Sequence, residues 1–198
     1  MDGLDRPMVN LPGGSERSRR PTLSVVVPVW NEDPRNLLGL HERLRRTLEH
    51  LVESWEVLFV DVGSGSATQR CLRDLGAADP HVRLLWLGDR YGQETALIVG
   101  LTSATGEFVC AMDSDLEHRP EELPQLLRPL TEGCHLVLGR RNMKSPHYRV
   151  VRRWTSQMYT VCMNVRWNTQ LSDWGCSFNA GKRTVFDGIR NTLMDRQK

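Results

Sequence analysis

The sequence predicts an α/β fold, with a mainly parallel sheet flanked by helices on both faces. Two observations carry this. From residue 23 to 138, short β-branched apolar runs alternate with longer segments whose leucines recur every three or four positions. The polar clusters fall just after strands, at Asn31-Glu32, Asp61 to Ser66 and Asp113 to Glu117. Ligands of open parallel sheets bind beyond the carboxyl ends of the strands, so three polar loops on one rim make a site.

The elements follow in order. Leu23-Ser-Val-Val-Val27 is a buried strand stopped by Pro28. Pro34 opens a helix in which Leu37, Leu38, Leu40, Leu44, Leu48 and Leu51 form the apolar face, with His41, Glu42, Arg45 and Arg46 between them. Trp55 to Val60 is a second strand, and the run Asp61-Val62-Gly63-Ser64-Gly65-Ser66 behind it is a loop. A helix over Thr68 to Ala78, a strand over Val82 to Leu87 and a helix over Glu94 to Ala104, ended by Gly106, come next. Phe108 to Met112 is a fourth strand. Pro120 starts a helix over Glu121 to Leu130, and His135 to Leu138 is a fifth strand. Tyr148 to Trp167 reads as a helix with an apolar stripe of Val151, Trp154, Met158, Val161, Cys162 and Val165, favoured as core packing over a lipid-facing surface.

Residues 1–21 read as a flexible basic tail, with Pro7, Pro12 and Pro21 among Arg6, Arg17, Arg19 and Arg20. A solvated leader is the plain reading and a weak attraction to anionic lipid the sharper one. Residues 22–198 form one domain. The chain has 198 residues, 39% of them hydrophobic and 25% charged, which is globular composition. Lys and Arg number 26 against 24 Asp and Glu, too even for a general nucleic-acid binder. The longest apolar run, Leu23 to Trp30, is far too short to cross a bilayer, and the N-terminus lacks the apolar core of a signal peptide. Cys71, Cys110, Cys134, Cys162 and Cys176 are odd in number and widely spaced, so they read as reduced packing residues of a cytoplasmic protein. The histidines form no metal-ligand spacing.

Charge is unevenly distributed. Residues 133–172 contain no Asp or Glu but carry Arg140, Arg141, Lys144, Arg149, Arg152, Arg153 and Arg166. This local positive field suits an anionic partner, most simply a phosphate. The acidic counterpart is Asp113-Ser114-Asp115, which follows a strand, with Glu117 two residues on. Carboxylates so spaced can converge on one hard cation, Mg²⁺ or Mn²⁺, which completes its shell with substrate phosphates. A D-x-D alone is common by chance, and a solvated acidic turn is its plain alternative.

Taken together, the motifs resemble the family 2 glycosyltransferases of GT-A Rossmann-like fold, especially the branch acting on polyprenyl and dolichyl phosphates. The segments Pro28-Val29-Trp30-Asn31-Glu32, Asp61-Val62-Gly63-Ser64, Tyr91-Gly92-Gln93, Asp113 through Pro120, Gly139-Arg140-Arg141, Arg152-Arg153 with Ser156, and Asp173-Trp174-Gly175-Cys176 occur in family order over residues 22–190. The resemblance implies a metal-dependent, inverting transfer of a sugar from a UDP- or GDP-linked donor to a polyprenyl phosphate. It implies Pro28, Trp30 and Glu32 around the nucleobase. Asp61 would hold base or ribose, with Gly63 and Ser64 shaping the loop. Gln93 and Ser114 are placed in the donor site. Asp113, Asp115 and Glu117 are the implied metal ligands. Arg141, Arg153 and Ser156 would hold the acceptor phosphate or donor diphosphate, and Asp173 would lie near sugar or acceptor. Asp115, Asp173 and Arg141 are the residues placed closest to the reaction.

The chain departs from the family pattern at Val62, where an Asp is usual. Trp30 stands for Tyr, Gly65-Ser66 for T-D, and Asp89-Arg90 for R-N, and Asn179 occupies the position of an Arg. Polyprenyl-phosphate relatives also continue with acceptor-side and membrane sequence beyond the length seen here. The expectation is therefore either a truncated chain, at the cytoplasmic face of a membrane it touches peripherally, or a short soluble member with a soluble acceptor. A non-catalytic nucleotide-sugar binding module is a further alternative. No nucleic-acid partner is expected, and a homo-oligomer is left open.

Overall fold

The computed structural model describes residues 22–88, 92–140 and 175–195, together with Thr160, Met163, Asn164, Arg166, Asn168, Gln170 and Asp173. The tail expected over residues 1–21 lies outside them. So does most of the helix expected over 148–167, of which Thr160, Met163, Asn164 and Arg166 are described and helical.

Strand β1 (Thr22–Val29) is central, with β2 (Ser54–Asp61) on one side and β4 (Phe108–Ala111) on the other, both parallel to it. Strand β3 (Val82–Trp86) extends the parallel sheet beyond β2. On the far side, β6 (Asn179–Lys182) inserts antiparallel between β4 and β5 (Leu136–Leu138), giving the order β3-β2-β1-β4-β6-β5. The mainly parallel sheet holds, with β6 alone reversed. Pro28 does not end β1, which runs on to Val29. Met112 N–H donates to the Val26 carbonyl at 3.0 Å, so Val26 and Pro28 turn their backbones toward the β4 side. Pairing with β4 has stopped at Ala111 by then, and the N–H that proline lacks has no ladder partner to lose.

Helix α1 (Pro34–Leu51) begins at an Asp33 cap whose carboxylate accepts the Arg35 N–H at 2.8 Å. Its leucines 37, 40, 44 and 48 are fully buried. They pack with Leu72 of α2 (Ser66–Ala78) and Leu130 of α4 (Leu123–Thr131) on the face presenting Val25, Val27, Phe59 and Cys110. The helix expected from Glu121 divides instead into a 3₁₀ turn over Pro120–Glu122 and then α4. The opposite face presents Val26, Leu58, Val60 and Val109 to Ala96 of α3 (Gln93–Ser103) and Phe186 of α5 (Arg183–Asp195). Helices on both faces thus leave the carboxyl ends of β1, β2 and β4 as the open rim. Among the described residues no helix is long and apolar enough to cross a membrane.

Candidate functional site

The rim holds a cleft of about 510 Å³. Of the residues expected in the donor site, Pro28, Trp30, Glu32, Gln93, Asp113, Ser114 and Asp115 line it, joined by Val29, Val62 and Gly92. Trp30 stands at its mouth, 51% exposed. The acidic pair follows β4.

The β1 and β2 loops brace each other. Asn31, at φ +50°, donates its N–H to the Ser64 hydroxyl at 2.9 Å, and its side-chain oxygen accepts the Gly65 N–H at 2.7 Å. The turn between them passes through Gly63 at φ +77°, a conformation that costs a residue with a Cβ. Asp61 sits beneath this turn, 2% exposed, accepting the Ser64 N–H at 3.2 and 3.3 Å and the Gln69 amide at 3.4 Å. Asp61, Gly63 and Ser64 therefore shape the rim from below and do not line the cleft. Val62 reaches it in their place.

Glu32 links α1 to the acidic loop. One of its oxygens accepts the Asp33 N–H at 3.1 Å and the Asn36 amide at 2.7 Å. The other accepts the Ser114 hydroxyl at 3.1 Å. Thr68 of α2 donates to the Glu32 carbonyl at 2.9 Å, so three elements meet at this one residue.

The acidic loop is shaped by Leu116, which holds φ +62°. A bulky residue in the left-handed region is uncommon and stores strain. The turn brings the Glu117 N–H onto an Asp115 oxygen at 2.9 Å. Asp113 is held on both oxygens. Gln93 of α3 donates its amide to Oδ1 at 2.8 Å, and the Ser177 hydroxyl donates to Oδ2. Protein packed around Asp115 raises its pKa above the ordinary aspartate value. The Glu117 N–H opposes that rise, and the nearby charges of Glu117, Asp113 and Glu32 add to it.

Of the three expected carboxylates, the cleft lining takes in Asp113 and Asp115. Glu117 does not line the cleft, and it meets Asp115 through its backbone N–H. Among the described residues no three carboxylate, imidazole or thiol groups gather closely enough to form a protein-only metal cage. What remains is a pair of hard oxygen donors, Asp113 and Asp115, facing a cleft and held by neutral groups. That donor set fits Mg²⁺ or Mn²⁺, which take one or two protein carboxylates and complete their shell with substrate phosphates and water.

The segment before β6 supplies Ser177, which no sequence signal marked. Its neighbours are structural. His118 and Phe178 stack with ring centroids 5.3 Å apart. Asn179 binds the Cys176 carbonyl at 2.7 Å and receives the Gly139 N–H at 3.0 Å, so the residue standing in place of a family Arg braces the strand. Asp173 is buried and accepts the Gly175 N–H at 3.0 Å. Tyr91, Arg141, Arg153 and Ser156 lie outside the described residues, and Arg140 is exposed after β5.

Comparison with known proteins agrees with this arrangement. The profile for glycosyl transferase family 2 matches residues 24–190. An undecaprenyl-phosphate 4-deoxy-4-formamido-L-arabinose transferase of Proteus mirabilis is 31% identical over 168 residues, covering 84% of this chain and 51% of that protein. The Pseudomonas fluorescens enzyme of the same name is 32% identical over 171 residues, covering 84% and 48%. The chain thus spans about half the length of the curated relatives it matches. Among solved structures, a mannosyltransferase from Pyrobaculum calidifontis in complex with GDP-Man and Mn²⁺ superposes with a TM-score of 0.62 at 20% identity, over 94% of this chain and 50% of that one. Glucosyl-3-phosphoglycerate synthase from Mycobacterium tuberculosis, in complex with Mn²⁺, UDP-Glc and phosphoglyceric acid, gives 0.62 at 21% identity, over 83% and 57%. These likenesses fix the GT-A fold.

Proposed function

The chain belongs to glycosyl transferase family 2, and from that premise we propose that it transfers a sugar from a nucleotide sugar to a polyprenyl phosphate. The observation that carries this is the cleft itself, with an exposed aromatic face, Trp30, at its mouth and the carboxylates Asp113 and Asp115 in its lining. A nucleoside diphosphate has the complementary layout, a π-face at one end and a polyanion at the other.

In this reading Trp30 stacks on the base beside Pro28 and Val62. Asp113 and Asp115 hold Mg²⁺ or Mn²⁺, which when bound screens the diphosphate and stabilises it as a leaving group. Glu32 and Ser114 keep the acidic loop in place, and Gln93 keeps Asp113 turned to the cleft. Arg141, Arg153 and Ser156, in the acid-free segment, hold the acceptor phosphate, with Asp173 near the sugar. An acceptor phosphate oxygen forms a bond to the anomeric carbon. The bond from that carbon to the diphosphate oxygen breaks, and its electron pair leaves with the nucleoside diphosphate. The acceptor oxygen is already anionic at neutral pH, so positioning and charge neutralisation suffice without a strong general base. Attack opposite the leaving group inverts the anomeric centre.

The relatives named as undecaprenyl-phosphate transferases support the lipid acceptor and a place at the membrane face. A product assay with UDP- and GDP-sugars, offering undecaprenyl phosphate in detergent or a soluble phosphorylated acceptor, tests it. Glycosylated lipid phosphate, formed with Mn²⁺ and abolished by EDTA, is the expected result. Product on the soluble acceptor alone would replace the lipid reading, and turnover undiminished by EDTA would remove the metal from it.

A further inference from the structure

We infer that Ser177 is a positioning residue for Asp113, locking the carboxylate that faces the donor cleft from a strand the acidic motif does not contain. The inference rests on the reading of Asp113 as a metal-site ligand. Its geometry stands apart from that reading. Strands β4 and β6 pair antiparallel, Cys110 with Ala180 and Ala111 with Asn179. Carried two residues past the last pair, the same register sets Ser177 opposite Asp113. Each lies two residues beyond the ladder, and a hydroxyl-to-carboxylate bond closes the gap where backbone pairing has stopped.

The two donors to Asp113 are unlike in rigidity. Gln93 is exposed at the start of α3 and reaches Oδ1 through a long side chain. Such a side chain gives up substantial rotamer freedom to hold one geometry. Ser177 has a single side-chain torsion and sits on backbone fixed from several directions. Asn179, two residues on, bonds to the Cys176 carbonyl and the Gly139 N–H, and the Gly139 N–H also donates to the Phe178 carbonyl at 3.0 Å. The rigid donor on Oδ2 therefore sets the plane of the carboxylate, and Gln93 holds its other oxygen. A carboxylate has about four acceptor sites, so two donors leave lone pairs directed at the cleft. Losing a group that orients a metal ligand from behind typically costs about 10- to 100-fold in metal affinity.

The test is Mn²⁺ binding to the whole chain by electron paramagnetic resonance of the free ion, with UDP and with GDP, for the wild type, Ser177→Ala, Ser177→Thr and Asp113→Asn. Removing the hydroxyl should weaken Mn²⁺ binding about 10-fold. Threonine, which restores a hydroxyl at the same atom, should recover most of it. In turnover, Ser177→Ala should raise the Mn²⁺ concentration needed for half-maximal rate by the same factor, with kcat at saturating Mn²⁺ nearly unchanged. Thermal unfolding separates a structural role. Equal Mn²⁺ affinity in wild type and Ser177→Ala, with or without a lower Tm, overturns the inference while leaving the metal reading intact. A wild type whose Mn²⁺ affinity matches that of Asp113→Asn overturns both together.

Discussion

Gly100 lies in the C-terminal half of α3, where the helix crosses β1 and β2. A Cβ placed there would come 2.2 Å from Val26 Cγ1 and 3.0 Å from Val60 Cγ2. Both valines are fully buried, so neither side chain can swing into solvent. Two opposing effects decide the outcome of Gly100→Ala. Alanine gains about 1 kcal/mol of helix propensity over glycine. Overpacking a tight core costs about 1–3 kcal/mol, and a 2.2 Å approach belongs at the upper end. The net is a destabilisation of about 1–2 kcal/mol, or a fall in Tm of about 2–8 °C for a domain of this size. The perturbation does not stay local. Lifting α3 off the sheet carries Gln93 at its first turn away from Asp113, to which it is bonded at 2.8 Å. Calorimetric unfolding should show the lower Tm, and Mn²⁺ affinity should fall in the same variant. A Tm equal to or above the wild type would mean that propensity prevails and that α3 is not seated on Val26 and Val60 through Gly100.

Three further outcomes are expected. Trp30→Ala should lower affinity for the bound nucleotide about 5- to 150-fold, since base stacking on an aromatic is worth about 1–3 kcal/mol; its Tm should stay within about 2 °C of the wild type because the ring is 51% exposed. Burial would raise the pKa of Asp79, but the His81 backbone N–H and the His81 and His41 rings outweigh that and hold it below 3.8. Its stabilising contribution is therefore intact above that value and lost as the pH falls beneath it, so the stability gap between wild type and Asp79→Asn in urea titrations should shrink as the pH is lowered through the ordinary carboxylate range; a gap that widens would contradict the sign. Glu32→Gln should loosen the acidic loop by weakening its bond from Ser114, raising the Mn²⁺ requirement at constant kcat in a metal titration.

Much of this was legible in the sequence because the signals were local. Leucines 37, 40, 44 and 48 of α1 recur at helical spacing and are buried, although Leu38 is exposed, and the apolar runs Val25 to Val27 and Val57 to Val60 are buried strand cores. Strand β6 was not legible. Asn179-Ala-Gly-Lys182 has no β-branched residue and contains a glycine; it is a strand because β4 and β5 offer edges on either side. For the same reason Ser177 escaped notice. One serine carries no pattern, and only the antiparallel register sets it across from Asp113. The acidic motif gave Asp113 and Asp115 their places in the cleft, but a left-handed Leu116 turned Glu117 to serve Asp115 through its backbone, which spacing alone does not foretell. Asp61 was legible as a polar residue behind β2, and that it turns under its own loop to accept from Ser64 and Gln69 was not.

Calorimetric titration of UDP and of GDP into the protein, with Mn²⁺ and then with EDTA, bears most directly on the cleft as a metal-assisted nucleotide site. One of the two nucleotides should bind with Mn²⁺, and that binding should disappear with EDTA and in the Asp113→Asn, Asp115→Asn double variant. Binding of the same strength under all three conditions, or none for either nucleotide with Mn²⁺ present, would contradict it.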